Sequence, residues 1–186
     1  MTAPGPIILP YDGIWPTIAP TVFIAPGAVI IGDVTIEDGA SVWFNCTVRG
    51  DIAPVRVGSR SNVQDGCILH VNADAPCIIG ADVTIGHGAV VHGTTVEDGA
   101  VIGMGAIVLS YSTIGQGAVV AAGSLVPERM TVAAGSVVMG VPAKVRRELA
   151  SGQRDALRRI AGRYVGVAER YRDTLDTWEE PHLNER

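Results

Sequence analysis

The chain counts in sixes. Ile24, Ile30, Ile36, Val42 and Val48 fall at a strict period of six residues. Val57, Val63 and Leu69 resume the count after a short insertion, and Ile79, Ile85 and Val91 resume it after a second. Val96, Ile102, Val108, Ile114, Val120, Val126, Val132 and Val138 carry it to its end. One aliphatic residue per hexad, with small and polar fillers, is the pattern of a β-helix rather than of a layered globular core. Three hexads make one triangular coil of three short strands, so this stretch predicts about six coils stacked roughly 4.8 Å apart. Glycine at 23 of 186 residues and aromatics at 5% suit narrow corners around a thin, uniform interior.

The phase of the hexads says where the other residues point. With the three faces labelled A, B and C and Val48 on A, residues 52–55 are read as one corner and 71–78 as a bulged corner. Val57 and Ile79 then fall on B, Val63 and Ile85 on C, and Leu69 and Val91 on A. Arg49, His70 and His92 each follow a face-A residue by one and stack along one edge. Asp65 and His87 each follow a face-C residue by two and stack elsewhere. His70 and His92 can therefore share a metal ion, whereas His87 cannot reach them within the same subunit. A threefold assembly, packing the A edge of one prism against the C face of the next, would bring the third nitrogen in and leave a coordination position for water. An isolated histidine would read as an ordinary surface residue. A stacked pair with a third, and with Asp and Arg in the same columns, reads as a metal site.

The hexads stop at Val141-Pro142. The expected division is a β-helix domain over 1–142 and a helical segment over 143–186 that packs on it. Residues 143–150 are expected to form a short helix. Ser151 is expected to cap a second helix over 152–178. Leu157, Ile160, Tyr164, Val167, Tyr171 and Leu175 make an amphipathic stripe at spacings of three and four, suited to covering one side of the prism. Residues 179–186, with His182, are expected to fray and to bind nothing.

Composition excludes several classes of function. Net charge is −5, and the 14 basic residues cluster toward the C-terminus as the solvated face of a helix, which is no nucleic-acid footprint. No stretch approaches the roughly 20 apolar residues of a membrane span, and the first twelve residues lack the features of a signal peptide. Cys46, Cys67 and Cys77 lack metal-type spacing and read as reduced, partly buried thiols of a cytoplasmic protein.

Several strings resemble the γ-class carbonic anhydrases. They are Arg49-Gly50-Asp51, Ser61-Asn62-Val63-Gln64-Asp65-Gly66-Cys67-Ile68-Leu69-His70, Ile85-Gly86-His87-Gly88-Ala89-Val90-Val91-His92-Gly93, Ile102-Gly103-Met104-Gly105-Ala106 and Val138-Met139-Gly140-Val141-Pro142-Ala143-Lys144. The resemblance spans 20–147. It implies a left-handed parallel β-helix with a C-terminal α-helix, assembled as a homotrimer. It implies zinc held by His70 and His92 of one subunit and His87 of the next, with iron or cobalt also suited to imidazole ligands. Arg49 and Asp65 would form an intersubunit ion pair, with Asp51 in the supporting polar cluster. Gln64 would bond the metal-bound water, and Asn62 would help place CO2 or bicarbonate. Tyr164 reads mainly as packing, with its hydroxyl a candidate near the metal.

The implied chemistry is attack of a metal-bound hydroxide on CO2. Neutral imidazoles leave the ion's charge uncancelled, and the bound water acidifies, in zinc carbonic anhydrases themselves to a pKa of about 7. The chain departs from the family pattern in proton transfer. Ile52 stands where an acidic residue is expected, and the loop Val71-Asn72-Ala73-Asp74-Ala75-Pro76 is short, leaving Asp74, Tyr164 or buffer to carry the proton. Two other readings compete. A hexapeptide acyltransferase or thioesterase using CoA has the same coils but works with one histidine base, and three stacked ligands are superfluous to it. A non-catalytic trimeric assembly protein keeps the fold and the metal without an acidic shuttle.

Overall fold

The computed structural model describes residues 5–177 as a parallel β-solenoid of about seven turns followed by one helix, Ser151–Asp176. Inward residues stack in three columns. Ile8, Ile30, Val48, Leu69, Val91, Val108 and Val126 form the first, on face A. Ile18, Ile36, Val57, Ile79, Val96, Ile114 and Val132 form the second, on face B. Ile24, Val42, Val63, Ile85, Ile102, Val120 and Val138 form the third, on face C. From the second coil onward these side chains have essentially no exposure. Each contributes about 1.5–3 kcal/mol by leaving water, so the stability is spread evenly along the axis.

One coil more is present than the hexads from Ile24 predict. Ile7–Leu9 and Thr17–Ile18 pair in parallel with Val29–Ile36 and add a first turn. It is interrupted by a small hairpin, where Tyr11 and Ile14 exchange backbone hydrogen bonds, and so its two columns do not keep the six-residue step.

Both insertions are corners, as the phase requires. The first is a bulge inside one long strand, Thr47–Val57, whose register against Val29–Ile36 shifts between Gly32 and Val34. Glycine is demanded there, since a Cβ on Gly32 would stand 2.4 Å from the Gly50 carbonyl oxygen. The second is a hairpin closed by reciprocal 3.1 Å bonds between Asn72 and Ala75.

Residues 143–150 correct the expectation of a short helix. Lys144–Glu148 is a strand, antiparallel to Ser136–Met139. The last rung of face C would otherwise leave its backbone donors and acceptors open. The chain reverses at Gly140 and pairs with that edge, presenting only exposed side chains on the new edge strand. Ala143 and Leu149 alone fold inward. The strand also moves the helix start. Ala150, extended at φ −66° and ψ 153°, is the cap residue and Ser151 is already helical. Gln153 Oε1 accepts the Ala150 N–H at 3.2 Å in place of the expected serine cap. The expected end at Trp178, and the segment 179–186 with His182, lie outside the described residues.

The helix packs on the outer surface of face C near the N-terminal end. Tyr164, Val167, Ala168 and Leu175 meet Phe23, Ala25, Trp43 and Phe44. Trp43 is the hub, with ring centroids 5.2 Å from Phe23, 5.4 Å from Tyr164 and 5.2 Å from Tyr171.

Candidate metal centre

The hexad core places two histidines side by side. His70 and His92 end the strands Ile68–His70 and Val90–His92, which pair in register, His70 opposite His92. Each follows an inward aliphatic, so each points outward from the same edge. His70 Nδ1 lies 3.1 Å from His92 Nε2. The outer nitrogens are anchored. His70 Nε2 lies 3.0 Å from Asp51 Oδ1, and His92 Nδ1 lies 2.8 Å from Ser110 Oγ. Asp51 also accepts from Arg49 and, at 3.0 Å, from the Ile52 N–H.

This donor set fits a divalent ion. A His70 proton on Nε2 and a His92 proton on Nδ1 satisfy the anchors and leave two lone-pair nitrogens facing each other. Two such nitrogens cannot bond one another. Ligands of one zinc at about 2.0–2.1 Å and a near-tetrahedral angle stand roughly 3.3 Å apart, close to the spacing seen. A carboxylate behind a ligating imidazole is the usual orienting device. Burial, then the neighbouring His70 and Arg49, hold the His92 imidazolium below the ordinary histidine range, which favours the neutral form a metal needs. Burial pushes the Asp51 carboxyl up, but the hydrogen bond from His70 and the charge of Arg49 outweigh it and hold the group below its usual value. Among the described residues, no three His, Cys, Asp or Glu side chains come together as a complete ligand set.

His87 is on the other face. Its Nδ1 lies 2.7 Å from Asp65 Oδ2, which leaves Nε2 as the lone-pair nitrogen, and the ring is half exposed. Beside it Gln64 and Asn62 are buried. Gln64 Oε1 accepts the His87 N–H at 3.3 Å, and Gln64 Nε2 donates to Asn62 Oδ1 at 3.0 Å. Asn62 Nδ2 donates in turn to Thr84 Oγ1 at 3.0 Å. Asn62 is fully buried with its amide engaged by Gln64 and Thr84. A groove of about 540 Å³ runs along this face, walled by Trp43, Phe44 and the helix residues Arg163 and Tyr164, with Asp65 and His87 on its floor. Burial and the Asp65 charge push the Tyr164 phenol up, so it keeps its proton at neutral pH.

The structure thus brings together Arg49, Asp51, His70 and His92 at one place and Asn62, Gln64, Asp65, His87 and Tyr164 at another. Arg49 and Asp65 are not partners within the chain. Arg49 pairs with Asp51, and Asp65 pairs with His87. Asp74 is engaged by the Tyr111 hydroxyl at 2.6 Å, and Ile52 is exposed. The three thiols are buried, and burial pushes Cys77 up to about 12, so it is inert near neutrality. Sequence reasoning missed Ser110 and Asn72 behind His92. A signal for Ser110 existed, because it follows Val108 by two just as Gly93 follows Val91.

Comparison with known proteins finds hexapeptide-repeat families and carbonic anhydrases. Residues 16–50 match the bacterial transferase hexapeptide (six repeats) family, and residues 76–110 match the hexapeptide repeat of succinyl-transferase. A protein of Methanocaldococcus jannaschii described as a probable carbonic anhydrase is 48% identical over 87% of this chain and 99% of its own length. The carbonic anhydrase of Geobacillus kaustophilus is 46% identical, covering 89% of this chain and 91% of that protein. The mitochondrial gamma carbonic anhydrase 2 of Arabidopsis thaliana is 41% identical over 83% of this chain and 58% of its own length. Among solved structures, a hexapeptide transferase family protein of Anaplasma phagocytophilum superposes with a TM-score of 0.86 at 36% identity, covering 89% of this chain and 98% of that one.

Proposed function

The chain belongs to the γ-class carbonic anhydrase family, and from that premise we propose that it hydrates CO2 reversibly at a zinc site completed between the copies of a homotrimer. The observation that carries this is the pair of converging nitrogens on His70 and His92, each backed by its own anchor, with His87 similarly backed by Asp65 on a face they cannot reach. Two half-sites on two faces of one prism would complement one another across a threefold assembly. In such an assembly His70 and His92 of one subunit and His87 of the next would hold the ion, and Arg49 of the first would face Asp65 of the second.

Zinc held there would supply the Lewis acidity that turns a water into a nucleophile near neutral pH. The chain's own residues do the rest. Asp51 and Asp65 fix the imidazole orientations. Gln64 keeps one Nε2–H beyond its bond to Asn62, and this hydrogen would be the donor that orients an incoming oxygen. Asn62 positions Gln64. Tyr164 walls the groove and holds its proton. No carboxylate stands at Ile52, and Asp74 is tied to Tyr111, so the proton released in each turnover leaves through solvent and buffer.

The test is metal analysis together with stopped-flow CO2 hydration on one anaerobically purified sample. The expected result is about one ion per subunit and a hydration rate that climbs with imidazole-type buffer. His70→Ala, His87→Ala and His92→Ala each lose both. Full zinc with no hydration at any buffer concentration would move the assignment to a non-catalytic assembly protein.

A further inference from the structure

His92 is held from behind by a hydrogen-bond chain that the reaction above leaves unused. Its Nδ1 lies 2.8 Å from Ser110 Oγ, and Asn72 Nδ2 donates to that same oxygen at 3.0 Å. Ser110 is 3% exposed, so its hydroxyl must find its partners within the protein. The backbone makes this approach possible. At Gly93, φ +52°, a Cβ would stand 3.1 Å from Ser110 Oγ and 3.2 Å from Ala75 Cβ. Asn72 belongs to the 72–75 hairpin, and that hairpin is clamped. Tyr111 donates its hydroxyl to Asp74 at 2.6 Å, and the Arg129 guanidinium sits 4.6 Å over the Tyr111 ring.

A proton inventory narrows what this arrangement can do. The Asn72 amide N–H only donates, so it takes one lone pair of Ser110. The hydroxyl is then left either to donate to His92 Nδ1 or to accept from Nδ1–H. In the first order the bonds run in one direction. Ser110 O–H donates to His92 Nδ1, His92 Nε2–H donates to His70 Nδ1 at 3.1 Å, and His70 Nε2–H donates to the Asp51 carboxylate at 3.0 Å. In the second order Ser110 accepts from both Asn72 and His92, which leaves its own hydrogen without either of them as acceptor, a cost that ion binding offsets; His92 Nε2 is then bare and faces the same point as His70 Nδ1. A hydroxyl serves both orders. An amide N–H could only donate, and a carboxylate could only accept.

The geometry points to Ser110, held by Asn72, as the positioning residue of the ion site: its hydroxyl reverses direction so that His92 can present Nε2 to an ion while staying neutral. One proton leaves Nε2 for water and one is taken up at Nδ1, so the ring's charge does not change. This rests on the ion-site reading above.

Nitrogen-15 NMR of the histidine rings, with zinc affinity from chelator competition, tests it on full-length wild type, Ser110→Ala and Asn72→Asp. Metal-free wild type should carry the His92 proton on Nε2, and zinc should move it to Nδ1. Ser110→Ala should weaken zinc binding about 10- to 100-fold, the usual effect of removing a ligand's hydrogen-bond partner. Asn72→Asp should place the proton on Nδ1 before any zinc is added, because the new carboxylate accepts the Ser110 hydroxyl and Ser110 must then accept from His92. A merely structural role gives no such tautomer change. Wild-type zinc affinity in Ser110→Ala, with an unmoved tautomer in Asn72→Asp, would overturn the role of Ser110 alone. His70 and His92 signals that ignore zinc in wild type would overturn the ion site and this role with it.

Discussion

Asp51→Asn removes one charge and asks whether an amide can do a carboxylate's work. Asp51 receives two side-chain donors on different oxygens, Arg49 on Oδ2 and His70 Nε2–H on Oδ1, and its side chain is 13% exposed. Asparagine offers one oxygen and one NH2. If the oxygen stays on His70, the NH2 meets the Arg49 guanidinium donor to donor. If the amide flips, it meets the His70 N–H instead. One charge-assisted hydrogen bond is lost either way, worth about 1.5–3 kcal/mol when well buried. The Arg49 side chain is 40% exposed, so about 1–2 kcal/mol of folding stability is the working figure after solvent screening. Zinc affinity should fall about 10- to 100-fold, since His70 loses its fixed orientation. The pH dependence has a defined sign. The folded-state carboxyl is held below its usual value, so its contribution is present above the ordinary carboxylate range and is lost as pH falls through the depressed value. The stability gap between wild type and Asp51→Asn should therefore close on acidification below about pH 4. Chelator competition and denaturant unfolding on the same samples measure both effects. A variant that keeps wild-type zinc affinity would refute the claim that Asp51 sets the His70 ring.

Trp43→Ala should free the C-terminal helix while the solenoid stays folded, because Trp43 lies outside the prism; a buried aromatic of this kind costs about 3–5 kcal/mol when truncated. Limited proteolysis within 151–176 should accelerate with the solenoid's far-UV signal retained, and loss of both together would show that the helix is integral to the coils. Ile52→Glu should raise CO2 hydration at low buffer and flatten its dependence on imidazole concentration. An unchanged buffer dependence would show that the proton does not leave past residue 52.

The solenoid was legible because one aliphatic residue per hexad has a single way to be buried, and two corner insertions were enough to restore the phase. The same phase put His70 and His92 in register and His87 on another face. It failed at the ends. Ile18 continues the period of six to Ile24, but Ile8 is ten residues earlier across the Tyr11 hairpin, and the first coil was hidden by that break. Lys144–Glu148 carries no periodic apolar signal, and its structure comes from an open sheet edge that local sequence does not reveal. The site's inner anchors were partly readable. Asp51 follows Arg49 in a matching string, whereas Asn72 lies inside an insertion where phase says nothing. The docking surface for the helix had a sign that went unread, since Trp43 and Phe44 sit at outward positions in a chain poor in aromatics.

Complementation between two dead variants tests the intersubunit site most directly. His70→Ala lacks a ligand on the A edge, and His87→Ala lacks the ligand on the C face. Each should bind no zinc alone. Co-refolded one to one, random trimers should regain about one site in four, because an interface is whole only where the edge of a His87→Ala subunit meets the face of a His70→Ala subunit. Zinc bound by the co-assembled mixture, with CO2 hydration returning in proportion, is the predicted result. Mixed trimers that bind no more zinc than either variant alone would contradict it and place the ligands within one subunit.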